Sequence, residues 1–376
     1  MSIKKRYDLM IPGPVSVEDE VLAEMAQPIV AHYGREWSDL FNETVEMAKQ
    51  VFQTQSDLFI MVGSGHYGVE AALNSLVEPG EDVILVETGH FGHRAVELAN
   101  SHLAKTHVID VGWDDTVKPE QVAEALKAHP AAKVLAIVQN ETSTGLANPI
   151  REVAQICSEH DVILMVDGVS SVGGMDLKVD EWGVDVCVTA SQKCLEAPPG
   201  LVLVSVSQKA VDHMRARKTP IAGWAMNLLK WKEAADEGRF FQPYYITMAV
   251  SNVLALHKSL ELILAEGLAS RFARHQEVGA AFRDGVRKLG LEPYGSDEQA
   301  SGIVGVFRVP EGYVDTDIVS FVKENHGIQI AGGLSRLTGK TVRVGHMGPG
   351  ARMDKIVPVL DALEHWLSSE GLLRKK

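Results

Sequence analysis

The chain has 376 residues, 45% of them hydrophobic and 23% charged, which is enough for two domains with sizeable cores and ordinary for a globular protein. A formal net charge of −14 excludes a nucleic-acid binder with a basic face, and the only dense basic runs, "KKR" (4–6) and "RKK" (374–376), read as solvated ends. Three cysteines (Cys157, Cys187, Cys194), with no CxxC and no zinc spacing, argue against a disulfide framework and against a metal site. The N-terminal "MSIKKRYDLMIPGP" lacks the apolar core of a signal peptide, and no apolar run approaches a membrane span. A cytoplasmic protein with no membrane partner is expected.

In chain order, short apolar runs alternate with helical periodicity from about residue 60 to 206. "DLFIMV" (57–62) precedes a helix that puts Val69, Leu73 and Leu76 on one face. "DVILVE" (82–87) follows, then a helix from about Phe91, "HVIDV" (107–111), a helix, "KVLAIVQ" (133–139) and another helix. "DVILMVD" (161–167), "VDVCVTAS" (184–191) and "GLVLVSV" (200–206) complete the series. This alternation predicts an α/β domain, a mainly parallel seven-stranded sheet with helices on both faces. A long helix at about 248–265 comes next. The rhythm then changes to helix, "GIVGVFRV", helix, "GIQIAG", "TVRVGHM" and a terminal helix, which reads as a smaller α+β domain. The expected division is an N-terminal arm (1–20), a large domain (21–250) and a small C-terminal domain (251–376). No low-complexity segment or solenoid repeat is present.

Parallel sheets place their sites at strand carboxyl ends, and four of these ends carry unusual residues. "GSGHYG" (63–68) leads into a helix and offers backbone amides and the Ser64 hydroxyl to an anion; as a tight turn it needs no ligand. It lacks the lysine of a P-loop. "NETSTG" (140–145) is a run of small hydroxyls. Asp167 ends an apolar strand, as a cofactor partner or only as a helix cap. Lys193, in "TASQKCLEAPPG" (189–200), reads on that segment alone as a surface lysine. One chemistry wants all four together. Pyridoxal phosphate needs a lysine for its aldimine and a carboxylate to keep its pyridine nitrogen protonated. It also needs an anion cradle for its phosphate and a flat face over its ring, for which Phe91 is placed.

With those residues in view, the chain resembles the class V, fold-type-I pyridoxal-phosphate aminotransferases, in the alanine–glyoxylate and serine–glyoxylate (serine–pyruvate) group. The resemblance runs through nearly the whole chain on "IPGP", "GSGHYGVEAAL", "NETSTG", "VDGVSSVGG", "SQKCLEAPPG", "YYITMAV" and "GLSRLTGKTVRVG", in that order. It implies Lys193 as Schiff-base lysine and general base, and Asp167 as partner of the pyridine nitrogen. Ser64, Gly65, His66, Val169, Ser191 and Gln192 take the place of same-chain cofactor contacts, and Thr142 of a contact to the ring oxygen. His66 reads alternatively as a helix-start residue satisfied by backbone. Phe91 stands where the alanine–glyoxylate branch commonly has tryptophan. Tyr244 and Thr247 match residues that reach the phosphate from a neighbouring subunit, which implies a homodimer with shared sites. Arg343 matches the arginine that grips the substrate α-carboxylate, against the reading of a surface strand arginine, and Gly13 of "IPGP" is placed beside the substrate.

The implied reaction moves an amino group from a small amino acid, alanine or serine, to glyoxylate or pyruvate. A cysteine desulfurase needs a mobile cysteine in the second half, and none follows Cys194. "KCLEAPPG" and "GHMGP" also resemble the pyridoxamine–pyruvate type, and "NETSTGLANP" the 2-aminoethylphosphonate–pyruvate type. "AHYGREW" (31–37) departs from the His-Arg-Ser stretch of the serine– and aspartate–glyoxylate relatives. This leaves Arg35 and Arg336 either as readers of an anionic donor or as solvated arginines.

Overall fold

A computed structural model describes residues 7–373, so both basic termini lie outside the described residues. Seven strands form the large sheet: β1 (Asp57–Val62), β2 (Asp82–Glu87), β3 (Lys105–Asp110), β4 (Val134–Val138), β5 (Ile163–Asp167), β6 (Val186–Ala190) and β7 (Leu201–Val206). Their spatial order is β1-β7-β6-β5-β4-β2-β3. Only β7 runs antiparallel to its neighbours, pairing Leu201 with Val62 and Val202 with Ala190. Two antiparallel pairings in succession leave β1 parallel to β6. The carboxyl ends of β1, β2, β4, β5 and β6 therefore open on one rim.

The inner strands are buried at almost every position and read as continuous apolar runs, because helices cover both faces. Helix Gly65–Leu76 packs its Val69, Ala72, Leu73 and Leu76 face on β6 and β7. Its approach is close at Gly68, where a Cβ would lie 2.8 Å from Val188 Cγ1 and nearer still to Val202.

A second core gathers Phe282, Phe307, Val342, Val344 and Trp366 behind a three-stranded antiparallel sheet. Its strands are β8 (Val304–Arg308), β9 (Ala331–Gly332) and β10 (Thr341–Gly345), in the order β8-β10-β9. Helices Leu268–Lys288, Asp315–His326 and Met353–Ser369 back it. The helix at which the sequence reading opens the small domain, observed at Val250–Glu266, buries Val253, Leu256, Leu260 and Ile263 in the core of the large sheet. By its contacts it belongs with the first core, and the second begins with Leu268–Lys288. The N-terminal arm spans both: Asp8–Leu9 pairs parallel with Ile328–Gln329, Met10 enters the small core, and Val15 N–H donates to Gln192 O at 3.1 Å.

Gly68→Val should lower stability by roughly 1–3 kcal/mol through overpacking against Val188 and Val202. A urea midpoint unchanged from wild type would show that the helix stands farther from the sheet than described.

Candidate active site

At the rim where the five strand ends converge lie two chambers of about 470 and 420 Å³. They share Gly13, Phe91, Thr142 and Lys193 in their walls. Ser64, Gly65, His66, Asp167, Val169 and Gln192 line the first chamber, together with Asn140 and Ser170. Arg343, Gln329 and the apolar Ile11, Ile330, Ala331 and Leu334 line the second. A hollow of about 320 Å³ beside Asp57 and Trp231 gathers none of these groups.

Lys193 sits in the turn that leaves β6. Its Nζ donates to the carbonyl of Pro12 in the N-terminal arm. Burial, reinforced by the Arg343 charge, brings its pKa down to about 8 from 10.5, so the neutral amine forms near physiological pH. The arm can lie this close only because residue 13 is glycine: its φ is +95°, and a Cβ there would sit 2.5 Å from Lys193 Nζ. Asp167, at the end of β5, accepts a hydrogen bond from Val169 N–H at 2.9 Å. Burial, with the nearby Glu141 charge, pushes its carboxyl up to about 6. Amine and carboxylate are thus each held towards neutrality. A cationic ring nitrogen brought to Asp167 would offset the cost of its charge.

Arg343, on β10, is 8% exposed. Its Nε donates to Gly332 O at 2.8 Å and an Nη to Thr142 O at 3.5 Å. Among the described residues it forms no salt bridge, and burial lowers its pKa to about 10. A buried guanidinium held only by carbonyls and facing a chamber can receive a carboxylate.

The sequence reading passes over Glu141, which lies inside the hydroxyl run it singles out. The side chain is fully buried, and burial raises its pKa. Its Oε2 accepts from Phe91 N–H and Gly92 N–H, both at 3.0 Å, and its Oε1 from the Ser143 hydroxyl at 2.6 Å. Ser143 Oγ in turn accepts from His90 N–H at 2.9 Å. Three successive amides at the start of helix His90–Ser101 are so capped from another loop, and this fixes Phe91 over the chamber. Ser170, equally unforeseen, accepts from the Thr142 hydroxyl at 2.9 Å and from Asn140 Nδ2 at 2.8 Å.

Other expected residues are engaged elsewhere. Ser191 is fully buried; its hydroxyl donates to Pro198 O at 2.7 Å and accepts from Leu201 N–H, so it braces the lysine turn and does not face the chamber. The Tyr244 hydroxyl donates to His32 O and accepts from Trp37 Nε1 within its own chain, while Thr247 is exposed outside either chamber. Arg35 is paired with Asp39 at 2.8 Å on the surface. Arg336 reaches Glu87 at 3.2 Å and lies over the Trp113 ring, 5.0 Å from its centroid. His66 stands at the chamber mouth, 5.9 Å from Phe91 ring to ring, its pKa lowered by partial burial and then by Arg94 and Lys193.

The residues present fit pyridoxal phosphate. Ser64, the N-cap residue of helix Gly65–Leu76, makes no side-chain cap bond, which leaves its hydroxyl and the first amides for an anion. Gln192 Oε1 and Asn140 Oδ1 are buried at the chamber wall without a hydrogen-bond partner, as a polar ligand requires.

The chain is similar to known proteins along nearly its whole length. The family model described as Aminotransferase class-V matches residues 18–347. An uncharacterised aminotransferase of Methanocaldococcus jannaschii is 37% identical, over 90% of this chain and 87% of its own. Alanine–glyoxylate aminotransferase of Drosophila melanogaster is 33% identical, over 97% and 93%. The crystal structure of ureidoglycine–glyoxylate aminotransferase from Bacillus subtilis superposes with a TM-score of 0.92 at 31% identity, covering 98% of this chain and 95% of that one.

In cofactor-free protein, Asp167 binds a proton more tightly folded, with its pKa at about 6, than unfolded, at 3.8. Its contribution to stability is therefore greatest below pH 4 and is lost as pH rises to about 6. Asp167→Asn should accordingly stabilise the cofactor-free protein at pH 8, by on the order of 1–3 kcal/mol. It should leave stability at pH 4 nearly unchanged. Chemical denaturation at the two pH values checks this, and equal effects at both would mean that the carboxylate is well solvated.

Proposed function

The chain belongs to the class V aminotransferases, enzymes that depend on pyridoxal phosphate, and we propose that it transfers the amino group of a small uncharged amino acid, alanine or serine, to a 2-oxo acid such as glyoxylate or pyruvate. The observation that carries this reading is Arg343: one buried guanidinium without a carboxylate, facing a small chamber next to Lys193. A single α-carboxylate satisfies it. The apolar part of the wall, Ile11, Ile330, Ala331 and Leu334, suits a short side chain. A second anionic group would find Arg336 already held by Glu87 and Arg35 by Asp39, which disfavours aspartate or a phosphonate as donor.

Bound pyridoxal phosphate supplies the electron sink for the reaction. The first chamber supplies its seat: Asp167 to hold the proton on the ring nitrogen, the helix start at Ser64–His66 to bind the phosphate, and Phe91 to cover the ring. Lys193 Nζ, neutral near pH 8, takes the proton from the substrate α-carbon and returns it. Arg343 orients the substrate by its carboxylate, so both substrates of the two half-reactions use one binding mode.

A homodimer with shared sites belongs to the same proposal. Thr247 is exposed, and Ile29, Tyr33, Trp224, Phe240 and Phe241 expose large apolar side chains, Tyr33 and Phe241 lying 5.7 Å apart ring to ring. Tyr244 is less available for a neighbour's cofactor, because its hydroxyl is already bonded on both sides.

Stopped-flow spectra of the loaded enzyme with a panel of donors test the assignment. Alanine or serine should convert at least tenfold faster than aspartate. Arg343→Ala should reduce kcat/KM for donor and acceptor alike, by about 2–5 kcal/mol in transition-state binding. A loss confined to one substrate would mean that Arg343 reads a side chain. Lys193→Ala should leave no cofactor adduct reducible by borohydride, and a reducible adduct in that variant would overturn the lysine assignment.

A further inference from the structure

The turn that presents Lys193 contains a residue in an unusual conformation. Glu196 has φ +56°, in the left-handed region where a side chain other than Gly, Asn or Asp is uncommon. Its N–H closes the turn on Lys193 O at 2.9 Å. Its side chain points inward, is 9% exposed, and is bonded to the guanidinium of Arg271, which is 2% exposed. A strained backbone and two buried charges concentrated beside a functional lysine call for a reason.

Arg271 lies in the first turn of helix Leu268–Lys288, which packs into the small core, and it uses its whole fork. Nε donates to Gly173 O at 2.6 Å, one Nη to Cys194 O at 2.9 Å and to Glu196, and the other Nη to Glu266 at 2.8 Å. Gly173 belongs to the loop that continues from Asp167, and Cys194 is the residue after Lys193. Glu266 is shared with Arg274, which anchors Gly348 O and Ala351 O. Arg271, Arg274, Glu196 and Glu266 together carry no net charge.

We propose that Arg271, with Glu196, is a positioning residue that clamps the Asp167 loop and the Lys193 turn to each other and so sets the placement of the reacting amine. The inference rests on the reading of Lys193 as the cofactor-binding lysine. One planar group bridges both loops, so a shift of either breaks a hydrogen bond to a buried carbonyl. A lysine at this position keeps the charge but cannot span all four acceptors.

The test uses Arg271→Lys and, where that variant fails to fold, the charge-neutral pair Glu196→Gly with Arg271→Met, in which glycine accepts the positive φ. Both changes conserve net charge, so a shift in Lys193 titration reports geometry and water entry rather than a lost neighbour charge. Lys193 is titrated in the cofactor-free protein by pH-dependent reductive methylation, with mass spectrometry of its peptide. The expected result is an upward shift of the Lys193 midpoint by about one pH unit, as water reaches the amine. In the loaded enzyme kcat should fall roughly 100-fold with KM within about threefold. A lower melting temperature with the wild-type midpoint and kcat would overturn the proposal and leave the pair a plain structural tie. Failure of the underlying reading shows separately, as a borohydride-reducible adduct surviving in Lys193→Ala.

Discussion

Two cations face two carboxylates at the sheet rim, Arg343 and Glu141 buried and Lys193 and Asp167 half-buried, and the low dielectric between them governs the site. Lys193 and Arg343 repel each other, Asp167 and Glu141 do the same, and each cation is drawn to a carboxylate. Burial pushes the amine and the Asp167 carboxyl towards their neutral forms, which is the state a proton-transferring lysine needs. Arg343 keeps its charge because a guanidinium starts far above neutral pH. The same desolvation that costs stability in the cofactor-free chain favours a cationic partner at Asp167 and an anionic one at Arg343, as the proposed function requires.

The sheet makes that concentration of charge possible. Parallel strands send their carboxyl ends to one rim, so short loops from five of them meet there while the strands stay apolar. Free helix amides at Ser64–His66 then supply positive potential without another side chain, and the amides at His90–Gly92 absorb Glu141. Glu141 orders the helix that carries Phe91 and at the same time supports the charge of Arg343 across the domain boundary.

Much of this was legible in the chain. The ranges 57–62 and 82–87 appear as strands at the expected residues, because an apolar run bounded by turn residues has few other fates. Lys193, Asp167, Phe91, Thr142 and the 63–68 loop were readable as strand-end residues, and they do meet in one cavity. The direction of β7 was not readable, since a continuous apolar run is the same pattern in either sense. Ser191 is expected as a cofactor contact, whereas its hydroxyl is bonded to Pro198 O, a partner that depends on how the turn folds back. Glu141 passes unnoticed in the 140–145 run, because nothing local in the sequence shows that the amides of Phe91 and Gly92 point at it. Glu196 and Arg271 are 75 residues apart, and no local pattern joins a lone acid in a turn to a lone base on a helix.

The small domain holds Lys193, the proposed reacting lysine, from two sides. On one side Met10 is packed in the small core and Gly345 N–H donates to Met10 O at 2.8 Å. The chain then runs three residues to Pro12 and Gly13 against Lys193 Nζ. On the other side Arg271 leaves the small-domain helix to grip the turn behind the lysine. Arg343, the proposed reader of the substrate carboxylate, stands on β10 of the same domain. Any rigid displacement of that domain relative to the large sheet must move the arm, the clamp and the carboxylate receptor together. Arg343 and the groups that place the Lys193 amine are thereby tied together by the chain's own connectivity.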